Sequence, residues 1–447
     1  MLEAFANSFK IPDLRKKIIF TLAIFAVYRI GSYIPTPGID GKALAEFFEK
    51  ISKTQGGTLF GIMNMFSGGA MERLTIFALG IMPNVSASII LQLLTAVIPY
   101  FEKMAKEEMG RKKIVQLTRH GTVVLSIIQS AFISLWLENP AHFQGMQIVP
   151  HPGWAFRLLT IVTLTTGTVF IMWLGEQISD RGIGNGISLI ITIGIVSRIP
   201  SAIYQLVLLF SPLSPTKRQL QPFVLVLMAA MLVLVTVAVI AITQGQRKIP
   251  VQYAKRIVGH RMYGGQSTYI PLRINQAGVI PIIFAQSIIL FPATLAGFIP
   301  NPKFQALASN LLRGHWLYTI FYTILIIFFS YFYTAVTFNP IEISENMKKF
   351  GGFVPGVRPG KNTSDYFDFV MTRITLAGAI FLAIIAVFPD LIGAWLKVPY
   401  LIASFFGGTA LLIVVGVILD TMRQVESHLL MRHYEGFMKK GKLRGRR

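Results

Sequence analysis

Apolar residues along the chain fall into ten runs, and most of these runs are long enough to cross a lipid bilayer as a helix, which takes about 20 apolar residues. Charged residues gather between the runs, together with many of the glycines and prolines. This pattern predicts an all-α membrane protein with ten transmembrane helices. The runs cover residues 18–34, 74–99, 114–137, 154–175, 184–209, 222–243, 274–299, 316–336, 372–389 and 399–419.

Basic residues are divided unevenly between the two sides of this topology. Of the 42 Lys and Arg residues, 30 lie in the termini and in the loops on the same side, 11 lie in the opposite loops, and Arg29 lies inside the first run. Because basic loops stay in the cytoplasm during insertion, both termini are predicted to be cytoplasmic. The expected location is the cytoplasmic (inner) membrane.

The composition supports a membrane protein, because 53% of the residues are hydrophobic and only 14% are charged. The sequence contains no Cys, so it forms neither a disulfide nor a thiolate metal site. Lys16 and Lys17 before the first run resemble the start of a signal peptide. The run nevertheless carries Arg29 and lacks a small-residue cleavage pattern, so we interpret it as a retained span.

The net charge of +22 is concentrated in loops predicted to be cytoplasmic. Residues 244–273 and 337–372 are long for simple connections, and they contain β-type residues ("QSTYIPL") and Gly/Pro turns ("GGFVPGVRPG"). One interpretation is a protruding surface that binds ribosomal RNA phosphates or an acidic protein. The alternative is charge that only sets the topology beside anionic lipid.

Five runs lie in each half of the chain, and because five is odd, a repeated second half must be inserted upside down. The predicted domains are an N-terminal half (1–220), a C-terminal half (221–420) and a basic tail (421–447). A short internal match between the two halves supports this division. It pairs Gly80 with Gly278, Pro83 with Pro281, Val85 with Ile283, and Ala87 with Ala285.

The paired prolines are expected to bend their helices, because a proline cannot bond to the carbonyl four residues earlier, here that of Leu79 or Ala277. Small polar residues follow both prolines, and they either hold packed helices together or form a seam between the halves that can open. These residues are Ser86, Ser88, Gln286 and Ser287.

Residues 60–74 ("FGIMNMFSGGAMERL") are too short to cross the bilayer and too apolar to lie in water. This segment therefore needs a buried place, although it belongs to a loop between two spans. The pair Gly68 and Gly69 makes it pliable.

Catalytic patterns are missing from the sequence. There is no HExxH, "PGVRPGKN" lacks the spacing of a P-loop, and "RGIGNGIS" lacks the GxGxxG spacing and is better explained as a tight turn into the run at 184. The span interiors carry almost no charge, whereas Glu176, Asp180 and Asp420 lie at span ends. We expect no enzyme activity, no cofactor and no metal, with energy supplied by a partner.

Several motifs resemble those of the bacterial SecY family of protein-translocation channels, and the resemblance covers essentially the whole chain. The motifs are "FALGIMPNVSASIILQLL", "WLGEQISDRGIGNGIS", "AKRIVGHRMYGGQSTYIPLRIN", "AGVIPIIFAQSIILFPAT", "FNPIEISENMKKFGGFVPGVRPGKNT" and "FFGGTALLIVVGVILD". The resemblance implies two pseudo-symmetric halves, an hourglass pore, and a lateral gate toward lipid. It also implies secretion of unfolded polypeptides and insertion of membrane proteins. An inverted-repeat secondary transporter and a membrane scaffold remain as alternatives.

The family also implies partners and site residues. The partners are the small subunits SecE and SecG, the SecA ATPase motor, a translating ribosome, and signal sequences of nascent polypeptides, with anionic lipid around the channel. The implied plug is a re-entrant half-helix at about 58–73, with Phe60, Asn64, Phe66, Ser67, Gly68 and Gly69.

The resemblance implies three further sets of residues: a pore ring, a lateral gate and partner-docking residues. The pore ring is Ile81, Val85, Ile187, Ile191, Ile283 and Ile413. Such a ring excludes ions by dewetting, and Val85 makes it slightly wider than an all-isoleucine ring or lets the plug fill it better. The lateral gate is Ser86, Ile89, Gln129, Gln286 and Ser287. The partner-docking residues are Arg247, Lys248, Lys255, Arg256 and Arg358.

Overall fold

The computed structural model describes residues 11–41, 43–44, 46–48, 64, 67–143, 145–210, 222–253, 256–258, 261–263, 267–298, 316–396 and 408–440. Helices dominate this part of the chain. They are α1 (Pro12–Gly31), α2 (Met82–Val97), α3 (Pro99–Lys106), α4 (Glu108–Glu138), α5 (Trp154–Arg181), α6 (Gly186–Val196), α7 (Ile199–Phe210), α8 (Pro222–Gln244), α9 (Ile280–Phe298), α10 (Trp316–Thr337), α11 (Pro340–Lys349), α12 (Lys361–Leu396) and α13 (Thr409–Lys440). A 3₁₀ turn covers Pro140–Phe143.

Each of the ten apolar runs contains helix, and the prediction of an all-α membrane protein is confirmed. Six helices of the described part are long and apolar enough to span a bilayer. Helices α2 and α3 add a seventh candidate, because they pass this test together and bend by 103° at Ile98. The start of α9, Ile280–Ile289, is a shorter apolar helix.

The chain divides into two compact units. Unit 1 comprises Met1–Gln219, Leu290–Arg313 and Ile413–Arg447, and unit 2 comprises Leu220–Ile289 and Gly314–Leu412. The predicted domain boundaries at 220 and 420 stay predictions. Helix α13 continues into the predicted basic tail as far as Lys440.

The core of unit 1 is aromatic and aliphatic, and it is formed by α4, α5, the connection between them, and buried residues of the segments 44–48 and 71–79. Phe143 follows α4 and stacks edge-on against Phe47 and Trp136, with ring centroids 4.7 and 4.4 Å away. Met71 and Leu74 belong to the same buried cluster. The segment that precedes α2 is therefore anchored in the core.

A tight turn joins α5 to α6, which confirms the interpretation of "RGIGNGIS". Gly184 has a φ of +92°, a conformation that favours glycine. Asn185 caps α6, because its side chain accepts a hydrogen bond from the backbone N–H of Ser188 at 3.2 Å.

Unit 2 carries five strands in the two basic loops: β1 (Gln246–Tyr253), β2 (Arg256–Val258), β3 (Arg261–Tyr263), β4 (Ser267–Arg273) and β5 (Gly352–Phe353). The order β4-β1-β5 forms one antiparallel sheet, and β2 pairs with β3. The predicted β-type segment "QSTYIPL" lies largely in β4. Ile249 and Val251 of β1 pack with Phe338, Phe367 and neighbouring apolar residues, so the two loops share one core.

The second apolar run differs from its prediction. Helix was expected from residue 74, but residues 67–81 form successive turns with a bridge at Thr75, and α2 begins at Met82. The expectation that Pro83 and Pro281 bend their helices is also wrong. Each proline lies in the first turn of its helix, where a backbone N–H has no intrahelical partner, so the proline costs nothing there.

Candidate functional site

The two helices that carry Val85 and Ile283 begin in the same way. Gly80 and Gly278 each precede the helix with a positive φ, +58° and +64°. In α2 the N–H of Val85 donates to the carbonyl of Ile81 at 3.1 Å. In α9 the N–H of Ile283 donates to the carbonyl of Val279 at 3.3 Å.

A second pair of backbone hydrogen bonds corresponds in the same way. The N–H of Asn84 donates to the carbonyl of Ile81 at 3.1 Å, and the N–H of Ile282 donates to the carbonyl of Val279 at 3.2 Å. The residues matched in sequence thus occupy matched positions in backbone geometry. This local agreement supports the predicted internal repeat.

The predicted ring residues are apolar side chains that lie inside the protein. Ile81, Val85, Ile191, Ile283 and Ile413 are buried, and Ile187 is half-buried. Five of the six belong to unit 1 and Ile283 belongs to unit 2. Their role as a ring stays a prediction.

The predicted plug is described from Ser67 onward and at Asn64, whereas Phe60 and Phe66 lie outside the described residues. Asn64 and Ser67 are buried. The Asn64 side chain accepts a hydrogen bond from the N–H of Glu72 (3.0 Å) and donates to the Glu72 carboxylate (2.9 Å). These two bonds join Asn64 to Glu72, and we call residues 64–72 the plug loop.

Glycine allows the plug loop to approach α6 closely. A Cβ placed on Gly68 would lie 3.0 Å from the Cα of Gly194, closer than such atoms normally approach. Gly194 follows Ile191 by three residues on α6, so the two residues lie on neighbouring positions of one helix face. The plug loop therefore contacts α6 within one turn of a predicted ring residue.

Helix α1 also contacts the plug loop, through two polar side chains. The Tyr28 hydroxyl donates to the carbonyl of Ser67 at 3.4 Å. Arg29 Nη1 donates to the carbonyl of Gly68 at 3.0 Å and to Ser197 Oγ at 3.1 Å. These partners are 39 and 168 residues away in the sequence, so the sequence did not identify Tyr28, Arg29 or Ser197 as site residues.

The predicted gate residues differ in their surroundings. Ile89 is buried, and Ser86 and Gln129 are half-buried. Ser287 is buried and donates to the carbonyl of Ile283 at 2.8 Å. The buried amide of Gln286 has no hydrogen-bond partner among the described residues.

Sequence reasoning missed a buried polar pair beside the predicted ring and gate. Asn84, between Pro83 and Val85, donates from Nδ2 to Thr122 Oγ1 of α4 at 3.1 Å. Gly121 lies against Ala87 at the same interface. Helices α2 and α4 are thus joined by a hydrogen bond and by close packing. A signal was present, since Asn84 is an amide inside an apolar run.

The predicted docking residues that the structure describes lie on β1, on β2 and on the loop before α12. Arg247 and Lys248 are exposed on β1, and the Lys248 ammonium lies 4.7 Å from the ring centre of Tyr269 on β4. Arg256 belongs to β2, but its side chain is not described, and Lys255 lies outside the described residues.

Arg358 is exposed on a loop bounded by Gly356 and Gly360, both at positive φ. Its carbonyl accepts a hydrogen bond from Thr363 Oγ1 at 2.8 Å, which ties the loop to the start of α12. Basic side chains are therefore held on ordered backbone and project into solvent.

Within the described residues no group of three His, Cys, Asp or Glu could hold a metal ion.

Comparisons with known sequences identify the class and the family. The SecY family model matches residues 75–422. The protein translocase subunit SecY of Escherichia coli (strain K12) is 48% identical over 438 residues, which cover 97% of this chain and 96% of that relative. The corresponding subunit of Aquifex aeolicus is 43% identical over 442 residues, which cover 98% of this chain and 100% of that relative.

Solved structures share the fold. A protein-conducting channel matches with a TM-score of 0.64 at 16% identity, over 92% of both chains. Sec61 from a canine ribosome-channel complex matches with a TM-score of 0.61 at 16% identity, again over 92% of both chains.

The family match and the shared fold define a multi-pass, all-α membrane protein that is a subunit of a protein-conducting channel. The chain belongs to the SecY family. The predicted function as a channel subunit is thereby confirmed, and the alternative of a secondary transporter is not favoured.

Proposed function

We propose that the chain forms a passive pore for unfolded polypeptides in the cytoplasmic membrane, with both termini in the cytoplasm, and that it also releases apolar segments sideways into lipid. The predicted apolar ring offers no hydrogen bonds, so a peptide of any sequence slides through it. The ring also repels hydrated ions, because it offers no polar replacement for their water.

A single contact carries this proposal: Gly68 of the plug loop against Gly194 of α6, one turn from Ile191. A plug in this place covers the ring residues of α6 while the channel is idle. Among the described residues, Tyr28 and Arg29 of α1 bond to the loop, and an incoming chain that breaks these bonds displaces it.

A motor or a ribosome supplies the driving force, since the chain itself shows no nucleotide-binding pattern. The exposed basic residues Arg247, Lys248 and Arg358 fit an acidic motor surface or the phosphates of ribosomal RNA. We propose SecA and the ribosome as these partners, and SecE and SecG as companion subunits. One relative by fold, canine Sec61, is found in a ribosome-channel complex.

Ion leak through proteoliposomes tests the pore. We expect Ile191→Asn and Ile283→Asn, and deletion of residues 60–73, to raise ion leak and to relax the requirement for a strong signal sequence. Ile324→Asn is the matched control, because Ile324 lies on α10 and is 56% exposed. Wild-type leak and unchanged signal selection in the ring and deletion variants would exclude the proposed ring and plug.

A further inference from the structure

Arg29 is a charged residue that the sequence places inside an apolar run and to which the pore gives no role. Such residues are costly in a membrane and usually mark a functional contact. The Arg29 guanidinium makes three hydrogen bonds: Nη1 donates to Gly68 O and to Ser197 Oγ, and Nη2 donates to the Tyr33 hydroxyl at 2.9 Å. Its contacts thus join α1, the plug loop and the end of α6.

Ser197 extends this connection, because its hydroxyl donates to the carbonyl of Gly194 at 2.7 Å. Gly194 is the residue against which Gly68 packs. Arg29 therefore holds the plug loop at the point where the loop meets α6. An arginine suits this position because its N–H donors point in different directions within one rigid plane, and because it always carries a charge.

The downstream end of the plug loop is fixed independently. Met71 and Leu74 are fully buried in the core of unit 1. The carbonyl of Leu74 accepts from the N–H of Thr36 at 3.0 Å, and Thr75 forms a bridge with Pro35. The Glu72 carboxylate of the loop also lies 3.9 Å from Arg198 Nη2. Displacement of the loop therefore breaks the bonds at Ser67 and Gly68 and separates this ion pair, while the core anchor remains.

We propose that Arg29 is a latch: its bonds to Gly68 and Ser197 keep the plug loop closed, and opening of the channel requires these bonds to break. The proposal rests on the proposed function of the plug, and it assigns the residue that regulates it. Tyr28 assists through its bond to Ser67.

Cysteine labelling tests the latch without relying on conduction. The chain has no Cys, so Ala70→Cys introduces a single thiol at a fully buried position of the plug loop. In lipid nanodiscs, a water-soluble maleimide reacts with this thiol only when the loop leaves its place. We expect Arg29→Leu to raise the labelling rate roughly tenfold, the factor expected for loss of one hydrogen bond to a charged group.

A second latch variant keeps the test valid if Arg29→Leu folds poorly, and a third variant serves as the control. Ser197→Ala removes one acceptor of Nη1 and should raise the labelling rate less than Arg29→Leu does. Arg15→Leu is the matched control, because Arg15 is exposed on the same helix and far along it from the plug loop. We expect this control to label at the wild-type rate.

The outcomes separate the latch from the plug. Faster labelling in Arg29→Leu and Ser197→Ala, with a wild-type rate in Arg15→Leu, supports the latch. Wild-type labelling in both latch variants overturns it, even if deletion of residues 60–73 makes proteoliposomes leak. If that deletion causes no leak while the latch variants label faster, the plug role fails and Arg29 still holds the loop.

Discussion

Glu138 and Arg157 form an ion pair that closes the loop between α4 and α5. Two guanidinium nitrogens of Arg157, Nη2 and Nε, lie 2.6 and 2.8 Å from Glu138 Oε2. The other carboxylate oxygen accepts from the N–H of Gly153 at 3.0 Å. The pair thus fixes the start of α5 relative to the end of α4.

Removal of this pair should lower stability. We expect Arg157→Ala to lower the midpoint of thermal unfolding in detergent, because Glu138 is only 10% exposed and loses its charged partner. Lys106→Ala is the control, since Lys106 and Glu102 form an exposed pair one helical turn apart and should contribute little. Equal midpoints for the two variants would contradict the role assigned to Glu138–Arg157.

The hydrogen bond between Asn84 and Thr122 should couple α2 to α4. A double-mutant cycle with Asn84→Ala and Thr122→Val should give a coupling free energy of about 0.6 kcal/mol, with an upper value of roughly 1.7 kcal/mol. The measurement is the free energy of unfolding of the wild type, both single variants and the double variant. Strict additivity of the two single effects would show that the bond contributes nothing.

Close packing around Gly167 should make this position intolerant of any side chain. A Cβ on Gly167 of α5 would overlap with the carbonyl oxygen of Ile76. We expect Gly167→Ala to cost about 1–3 kcal/mol in unfolding free energy, the range for overpacked cores. Gly41→Ala has nothing within 4 Å of the new Cβ and serves as the control. Comparable losses in the two variants would argue against tight packing at Ile76.

Reversal of charge at Arg358 should impair export driven by the proposed motor partner, SecA. We expect Arg358→Glu to reduce ATP-dependent translocation at least about tenfold, because like charges facing each other at an interface cost several kcal/mol. The Arg358 side chain is exposed, so the unfolding midpoint should stay at the wild-type value. Lys349→Glu, at an exposed position of α11, is the matched control. Normal translocation by Arg358→Glu would remove this residue from the docking surface.

The sequence predicted the apolar helices and the β-type segment in β4 because their signals are local. Apolar runs of membrane length report burial in lipid, and each run contains helix in the structure. The turn at Gly184 and the β4 segment follow from residues adjacent in the chain.

Hydrophobicity alone could not locate the start of α2. Residues 74–81 are as apolar as the helix that follows, yet they form turns, because Leu74 and Gly80 adopt positive φ values and Pro83 fits the first helical turn. The sequence could not predict the contacts of Arg29 either, since they join residues far apart in the sequence. The sequence could show only that Arg29 was unexpected in an apolar run.

The anchoring of Met71 and Leu74 has a consequence for how the channel shuts. In the proposed plug role, a loop that stays anchored at Met71 and Leu74 remains beside the pore after it is displaced, so resealing is expected to be a first-order step within one molecule. The rate of closure should then depend on the local geometry and on no diffusing factor. We therefore expect each channel to reseal by itself once the passing polypeptide has left.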